Sequence, residues 1–217
     1  MDKIYPESGV ELRPFTARHY DKMMNVASLG LYRGFIHRAI RAMEIQSGDK
    51  ILDLGCGTGR NACIMSKYLG DDGKITGVDV SPIMEVHFRK KTAKRDSISF
   101  VRQRIDIPFT LSEKFDKVFM SFVMHGFPNE VRKNIIENIS YHLRPGGEFL
   151  LLDYAEFDVD AIPALHLRIF SSIECEYAFD FIKRDWKKIL SGYNFKDFDE
   201  RFFVKRYVRL LRAKKIE

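Results

Sequence analysis

Three glycines at alternate positions, directly after an apolar strand, constrain this chain more than any other feature. Residues 51–59 read Ile-Leu-Asp-Leu-Gly-Cys-Gly-Thr-Gly, and a helix-forming run follows at 60–65. Glycine tolerates positive φ and lets backbone approach a ligand closely. The order strand, glycine turn, helix therefore predicts a ligand-binding βα unit.

The glycine spacing and one acid narrow the class of ligand. The dinucleotide fingerprint is G-x-G-x-x-G, whereas Gly55, Gly57 and Gly59 fall at i, i+2 and i+4. Asp53 lies two residues before the first glycine, where a carboxylate would repel a pyrophosphate but would suit an amino group. The Walker lysine pattern is absent. A nucleoside ligand that carries an amino group fits best; the alternative for Asp53 is a buried acid that caps the loop amides.

A second acid supports a nucleoside. Asp79 ends the apolar run 74–79, and an acid at the tip of the second strand can accept hydrogen bonds from both ribose hydroxyls. Ser81-Pro82 is typical of a helix N-cap followed by its first residue. The alternative is a strand-end acid that contacts no ligand.

The periodicity predicts alternating strands and helices. Strands are expected near 50–54, 74–79, 98–102, 116–121 and 147–153, with helices at about 60–69, 82–94 and 129–142. Such alternation implies a parallel sheet with right-handed crossovers.

The C-terminal part changes character. A turn at 144–147 feeds the fifth strand, a helix is expected at 183–191, and the runs 195–204 and 206–213 could pair as antiparallel strands. The prediction is an α/β fold: a Rossmann-like, seven-stranded, mostly parallel sheet with helices on both faces and an antiparallel C-terminal strand pair. Residues 1–45 are expected to form a helical lid on a ligand-binding domain at 46–217, within one structural domain overall.

These motifs resemble those of a known enzyme family. The string D-x-G-x-G-x-G from Asp53 resembles motif I of the class I S-adenosylmethionine (AdoMet)-dependent methyltransferases, and Gly77-Val-Asp-Val-Ser81 resembles their second motif. The resemblance covers about 45–213 and implies methyl transfer from AdoMet; separately, the cysteine pattern predicts no metal site. The cofactor contacts that it implies are Asp53, Gly55, Cys56, Gly57, Gly59, Asn61, Asp79, Val80 and Ser121.

The segment after the third strand departs from that family. Its members usually carry Asp or Asn here to accept from the adenine amino group, but this position falls near Arg104 and the segment is one residue shorter. We expect Ile105 and Asp106 to line the adenine instead.

Two residues are candidates for catalysis. His125 follows the fourth strand, where many small-molecule methyltransferases carry a histidine beside the substrate, and an imidazole can take a proton near neutral pH. Asp153 ends the fifth strand. Each has a structural alternative: a packed histidine that hydrogen-bonds to backbone, and a strand-end acid.

The N-terminal region supplies a further resemblance. The progression Tyr20-Asp21, Met24-Asn25 and Ser28-x-Gly30 is similar to the opening of the ubiquinone/menaquinone biosynthesis C-methyltransferases. This resemblance implies a small-molecule acceptor, with a quinone-precursor ring as one candidate. In related folds a tyrosine here closes over the cofactor, so Tyr20 is an expected cofactor contact, with helix packing as the alternative.

Charge leaves two other function classes open. The net charge is +6, and basic clusters at 89–95 and 205–215 could attract nucleic acid. The first cluster ends a helix whose dipole favours cations, and neither lies at the predicted cofactor edge, so nucleic acid is not favoured as a partner. The alternatives are an RNA or protein methyltransferase, or a noncatalytic AdoMet-binding protein.

The remaining composition bears on location. No apolar run approaches the roughly 18 residues that a membrane span requires, and Met1-Asp2-Lys3 begins no signal peptide. Cys56, Cys63 and Cys175 form neither a paired framework nor a C-x-x-C zinc site. These observations predict a reducing, cytoplasmic location, while peripheral contact with an anionic membrane is compatible with a quinone precursor.

Overall fold

Seven strands form one sheet in this computed structural model, which describes residues 5, 8, 31–158, 168, 170, 171 and 175–216. They are β1 (Lys50–Leu54), β2 (Lys74–Asp79), β3 (Ile98–Arg102), β4 (Phe115–Ser121), β5 (Leu143–Tyr154), β6 (Phe195–Phe203) and β7 (Val208–Lys215). Their order is β3-β2-β1-β4-β5-β7-β6. The first five strands pair in parallel, whereas β7 runs antiparallel to both β5 and β6. The predicted fold class is confirmed.

Six α-helices flank the sheet in the described ranges. They are α1 (Leu31–Arg41), α2 (Arg60–Met65), α3 (Pro82–Thr92), α4 (Asn129–His142), α5 (Glu176–Phe181) and α6 (Trp186–Ser191). Ser81 caps α3 as predicted, since its hydroxyl accepts from Met84 N at 3.3 Å. Within these ranges no helix is long and apolar enough to cross a membrane.

Two predicted helices differ in extent from the sequence analysis. The helix expected at 60–69 is α-helical only to Met65 and continues as a short 3-10 turn, Ser66–Tyr68. The helix expected from 183 begins at Trp186, because the Asp185 carboxylate accepts from Lys188 N at 2.9 Å and sets the N-cap there. Only Tyr5, Ser8 and 31–45 of the proposed lid are described, so the division at residue 45 stays a prediction.

Each face of the sheet carries its own hydrophobic core. Side chains alternate along β1, so that Ile51 joins the core beneath α1 and α2, whereas Leu52 and Leu54 join the core beneath α4. Asp53 shares its face with Ile51 and is only 1% exposed. A carboxyl group is thus built into the end of a buried strand, at the edge where the parallel strands terminate.

Phe88 of α3 fills space that two glycines leave open. A Cβ at Gly59 would lie 2.8 Å from the Phe88 ring, and one at Gly77 would lie 2.6 Å from it. The ring is 1% exposed and packs against Phe100 with centroids 5.0 Å apart. Gly59 and Gly77 therefore let α3 pack closely on the first two strands.

The segment at 144–147 is not a separate turn, as expected from the sequence, but part of β5. Phe115 pairs with Leu143, and the register then shifts before Lys117 pairs with Glu148. Gly146 has φ +72°, which accommodates the extra residues in the bulge. The chain thus leaves α4 and enters the strand without a free loop.

One buried amide holds the chain that leaves β3. Asn138 of α4 is 5% exposed, and its Nδ2 donates to Ile105 O at 2.9 Å and to Ile107 O at 2.8 Å. Ile105 is one of the two residues predicted to line the adenine, and Ile107 directly follows the other, Asp106. α4 therefore fixes the position of a loop on the neighbouring βα unit.

We expect Asn138→Ala to lower the free energy of unfolding by about 2 kcal/mol, because the buried Ile105 carbonyl and the partly buried Ile107 carbonyl lose their donor. Urea denaturation followed by circular dichroism measures this loss. Asn129→Ala is the matched control, since within the described part of the chain the Asn129 amide donates only to the exposed Glu130 carboxylate. Equal stability of both variants would contradict the role given to Asn138.

Candidate functional site

The glycine loop is anchored to the end of β2. Gly55 N and Cys56 N donate to Val78 O at 2.8 and 3.1 Å, and Gly57 N donates to Asp79 Oδ2 at 2.9 Å. Gly55, Gly57 and Gly59 have φ of +72°, +53° and +78°. All three sit in the left-handed region that favours glycine. The loop is thus a rigid turn whose shape is set by the neighbouring strand.

The three glycines have different tasks. A Cβ at Gly55 would lie 2.5 Å from the Val123 side chain, and one at Gly59 would meet Phe88, so both are needed for packing inside the protein. A Cβ at Gly57 would have nothing within 4 Å. Gly57 is the glycine that leaves room for a ligand.

Asp53 is a buried acid whose side chain is not satisfied by the described residues. Its Oδ2 is buried and has no hydrogen-bond partner among them. Burial and, as the smaller cause, the nearby charge of Asp79 together raise the pKa of Asp53 to about 7. The amides of Gly55, Cys56, Gly57 and Gly59 donate to other acceptors, so Asp53 does not cap these four amides. A ligand ammonium group would compensate its charge.

Asp79 joins the glycine loop to the next helix. Its Oδ1 accepts from Ser81 N at 2.9 Å, while Oδ2 accepts from Gly57 N. Burial raises the pKa of Asp79, and the amide donors oppose that shift. Each carboxylate oxygen has a second acceptor position, so binding of ribose hydroxyls is compatible with these contacts and stays a prediction.

The expected adenine-lining residues are already in contact with other side chains. Ile105 is 2% exposed, and its N–H donates to the Tyr5 hydroxyl at 3.1 Å. The Arg104 guanidinium donates to both oxygens of Asp106, at 2.9 and 2.6 Å. Burial raises the pKa of Tyr5, and the charges of Asp106 and Asp79 act in the same direction. Tyr5 therefore lies beside both the expected adenine and ribose contacts, a position the sequence analysis missed.

Other expected cofactor contacts lie around the same loop. Asn61 is the second residue of α2, and its buried Oδ1 has no hydrogen-bond partner in the described ranges. Val80 packs on the core next to Asp79, and Ser121 ends β4 opposite Leu152. Cys56 is buried, and burial raises the pKa of its thiol, which makes it a packing residue and not a nucleophile. Tyr20 lies outside the described residues.

His125 and Asp153 form a hydrogen-bonded pair at the ends of β4 and β5. His125 Nδ1 and Asp153 Oδ1 are 2.7 Å apart, and the His125 backbone N–H donates to Asp153 Oδ2 at 3.3 Å. Tyr154 N donates to the same carboxylate at 2.8 Å. The two residues that were predicted separately are therefore brought together. A carboxylate that accepts from Nδ1 leaves Nε2 as the basic ring nitrogen.

Aromatic side chains surround this pair. The His125 ring meets Tyr154 edge-on with centroids 5.1 Å apart, and Tyr154 in turn contacts Phe122 at 6.0 Å and Phe170 at 5.1 Å. Phe122 has φ +54°, a strained conformation for a bulky residue. No sequence signal predicted this strain. The surroundings of His125 suit a flat, apolar molecule.

The donors and acceptors of the glycine loop fit AdoMet. Its amino group can donate to the unsatisfied carboxyl of Asp53. Gly57 leaves space beside the loop for the methionine part of the cofactor. Asp79 can accept from its ribose. Among the described residues no cluster of His, Cys, Asp and Glu is arranged to hold a metal ion.

Comparisons with known proteins agree with this geometry. A family model described as "Methyltransferase domain" matches residues 51–147. Demethylmenaquinone methyltransferase of Staphylococcus carnosus (strain TM300) is 27% identical over 187 residues, which cover 84% of this chain and 76% of that protein. The Staphylococcus aureus (strain JH9) enzyme of the same name is 28% identical over 64% of this chain and 57% of its own length. The chain thus spans little more than half of the second relative.

Solved structures show the same fold. A SAM-dependent methyltransferase from Aquifex aeolicus superposes with a TM-score of 0.65 and 16% identity, covering 95% of this chain and all of that one. Human N-acetylserotonin methyltransferase in complex with SAM gives a TM-score of 0.71 and 17% identity, covering 94% of this chain and 57% of that one. Together with the family model and the curated relatives, these findings identify the chain as a class I AdoMet-dependent methyltransferase.

We expect Gly57→Ala to weaken AdoMet binding strongly while lowering stability only by about 1–2 kcal/mol, the cost of a left-handed alanine. The added methyl enters the space that the loop keeps for the cofactor. Isothermal titration with AdoMet measures the affinity, and thermal melting measures the stability. Gly59→Ala is the comparison variant, because its methyl meets Phe88 and costs stability first. Undiminished affinity of Gly57→Ala would place the cofactor elsewhere.

We expect the ligand-free Asp53→Asn variant to gain stability relative to the wild type as the pH is raised from 5 to 8. Burial raises the pKa of Asp53 from 3.8 to about 7, so the folded state holds this proton more tightly than the unfolded state. Wild-type stability therefore falls as pH rises from about 4 to 7, by at most about 4 kcal/mol, and asparagine lacks this dependence. Denaturant midpoints of both proteins across this range measure the difference. Parallel pH curves would contradict the burial of an ionising Asp53.

Proposed function

We propose that this class I AdoMet-dependent methyltransferase methylates an aromatic small molecule that carries an ionisable hydroxyl, with the ring of a quinone precursor as the leading candidate. The 2.7 Å contact between His125 Nδ1 and Asp153 Oδ1 carries the proposal. The names of the demethylmenaquinone methyltransferases that the chain resembles support the same substrate class.

The His125–Asp153 pair is suited to accept a proton. Asp153 orients the imidazole through Nδ1 and would stabilise the imidazolium that forms when Nε2 takes a proton from the acceptor hydroxyl. The resulting oxyanion raises electron density at its own oxygen and at the adjacent ring carbons. The same base therefore serves methyl transfer to either atom.

The surroundings of the pair select a flat ring and exclude water. The Tyr154 ring meets His125 edge-on, Phe122 and Phe170 pack on Tyr154, and His125 itself is 9% exposed. Aromatic contacts at these separations favour an aromatic ligand over a flexible polar one. Exclusion of water from the site also suppresses competing hydrolysis.

AdoMet supplies an activated methyl group when it is bound, so few catalytic side chains are needed. Asp53, Gly57 and Asp79 would hold its methionine and ribose parts at the ends of β1 and β2. His125 and Asp153 lie at the ends of β4 and β5, across the same edge of the sheet. This placement lets the acceptor and the cofactor meet above the middle of the sheet.

The location and wider partners of the enzyme follow from the proposed substrate. A lipid-linked quinone precursor would be reached from the cytoplasm by peripheral contact with an anionic membrane. Arg89, Lys90, Lys91 and Lys94, at and beyond the end of α3, are exposed and could contribute to such contact. Nucleic acid remains the disfavoured partner.

A turnover panel tests the proposed substrate class. Hydroquinones, naphthoquinols, catechols, amines and tRNA are supplied with AdoMet, and the release of S-adenosylhomocysteine is measured. Turnover with a quinol or phenol supports the proposal. Turnover with tRNA alone, or AdoMet binding with no turnover on any member, would overturn it in favour of an RNA methyltransferase or a noncatalytic binding protein.

We expect His125→Gln and Asp153→Asn to lower kcat roughly 100- to 10,000-fold on the acceptor found in that panel, because the proton acceptor or its orienting group is lost. AdoMet affinity should stay within about twofold of wild type. His87→Gln, a substitution on α3 away from the pair, is the control and should keep full activity. Full activity of His125→Gln would remove the base from the proposed mechanism.

A further inference from the structure

The buried side chain of Arg132 donates hydrogen bonds to the turn that carries His125. Arg132 of α4 is 1% exposed, and its Nε donates to Met124 O at 3.2 Å while Nη2 donates to His125 O at 3.2 Å. Nη2 also donates to Tyr177 O at 2.6 Å, and Nη1 donates to Asp180 Oδ2 at 2.6 Å. One guanidinium thus links the His125 turn to α5.

Stability alone is a poor explanation for a buried guanidinium. Burial lowers the pKa of Arg132, which reports the cost of keeping its charge away from water, and Asp180 opposes that shift. Well-packed apolar side chains often replace buried ion pairs without loss of stability. The aromatic rings of Phe181 and Trp186, centred 5.2 and 5.7 Å from the Arg132 carbon Cζ, would accommodate such a side chain. An apolar residue could not supply the hydrogen bonds that the guanidinium donates to the turn and to α5.

The turn that carries His125 depends on donors from outside itself. Met124–Gly126 is a three-residue 3-10 turn with no side-chain cap at its start. On its sheet side, the His125 N–H donates to Asp153 Oδ2. On its helix side, the His125 carbonyl accepts from Arg132. The peptide groups on both sides of the His125 Cα are therefore fixed.

From this arrangement we infer that Arg132 is a positioning residue, which holds His125 so that its Nδ1 faces Asp153 and its Nε2 faces the acceptor. The inference rests on the proposed function of His125. Among the described hydrogen bonds, Arg132 donates to the carbonyls of the turn and not to the imidazole, and its charge also acts on Asp153. Its loss should release the turn and weaken the Nδ1–carboxylate contact while the cofactor loop stays intact.

The imidazole itself reports this effect without any substrate. Protein labelled with 15N-histidine gives long-range 1H–15N correlations that distinguish Nδ1–H from Nε2–H imidazoles. The chain has six histidines, and the correlations that disappear in His125→Gln are assigned to His125. In the wild type at pH 8, we expect His125 to carry its proton on Nδ1. In Arg132→Met, we expect the Nδ1 and Nε2 shifts to move toward each other as the tautomers mix.

Arg184→Met is the matched control. Arg184 also donates to Asp180, at 2.7 Å to each oxygen, and no contact joins it to residues 124–126 among the bonds that the structure describes. The control should keep the wild-type His125 spectrum. On an acceptor found by turnover, Arg132→Met should lower kcat about 100-fold, as expected for a misplaced reacting group, with the Kd for AdoMet unchanged.

The outcomes separate the two hypotheses. An Nδ1–H His125 in the wild type that is unchanged in a folded Arg132→Met would overturn the positioning role, even if the variant melts earlier. A wild-type His125 without a proton on Nδ1 would instead overturn the proposed His125–Asp153 base. If Arg132→Met does not fold, Arg132→Lys gives the same readout, since one ammonium cannot replace the fork; a wild-type spectrum there would also count against the inference.

Discussion

The rest of the site depends on one partly buried carboxylate, that of Asp79. It accepts the amide of the glycine loop on one side and the amide at the start of α3 on the other, so two βα turns are locked together at the ends of adjacent strands. These charge-assisted bonds compensate the burial of Asp79. Asp53, a neighbour in the same crevice, receives no such compensation from the described residues. An acid without such donors would favour a ligand group that carries a positive charge, as the AdoMet amino group does.

A second set of constraints lies across the sheet. β4 and β5 place His125 and Asp153 side by side because parallel neighbours end at the same edge. The turn between β4 and α4 then needs anchors from both sides, which Asp153 and Arg132 provide. The glycine loop and the His125–Asp153 pair are thus fixed by separate hydrogen-bond networks. This separation allows the acceptor side to change while the cofactor side stays constant.

Local signals in the sequence were sufficient for the strands, the glycine loop and the fold class. The glycine spacing and the acids at the ends of strands depend on backbone geometry within a few residues, so they can be recognised in the sequence. The helix cap at Ser81, which the structure confirms, is also a local feature. Contacts between distant segments left no such signal. Tyr5 meets Ile105 across 100 residues, and Arg132 meets Tyr177 across 45. The bulge at 144–147 was mistaken for a turn, because proline and glycine mark both and only the register of β4 and β5 distinguishes them.

The ring of Phe88 ties together three positions that are far apart in the printed sequence. It occupies the volume in which a side chain at residue 59 or residue 77 would have to sit. Substitutions at these positions are therefore not independent: a methyl group at residue 59 or 77 requires a smaller residue 88, and at residue 77 it also meets the Cys56 sulfur at 2.8 Å. Such a packing constraint should appear as covariation among positions 59, 77 and 88 in related sequences. Relatives that keep this combination are expected to share the close packing of α3 on the sheet.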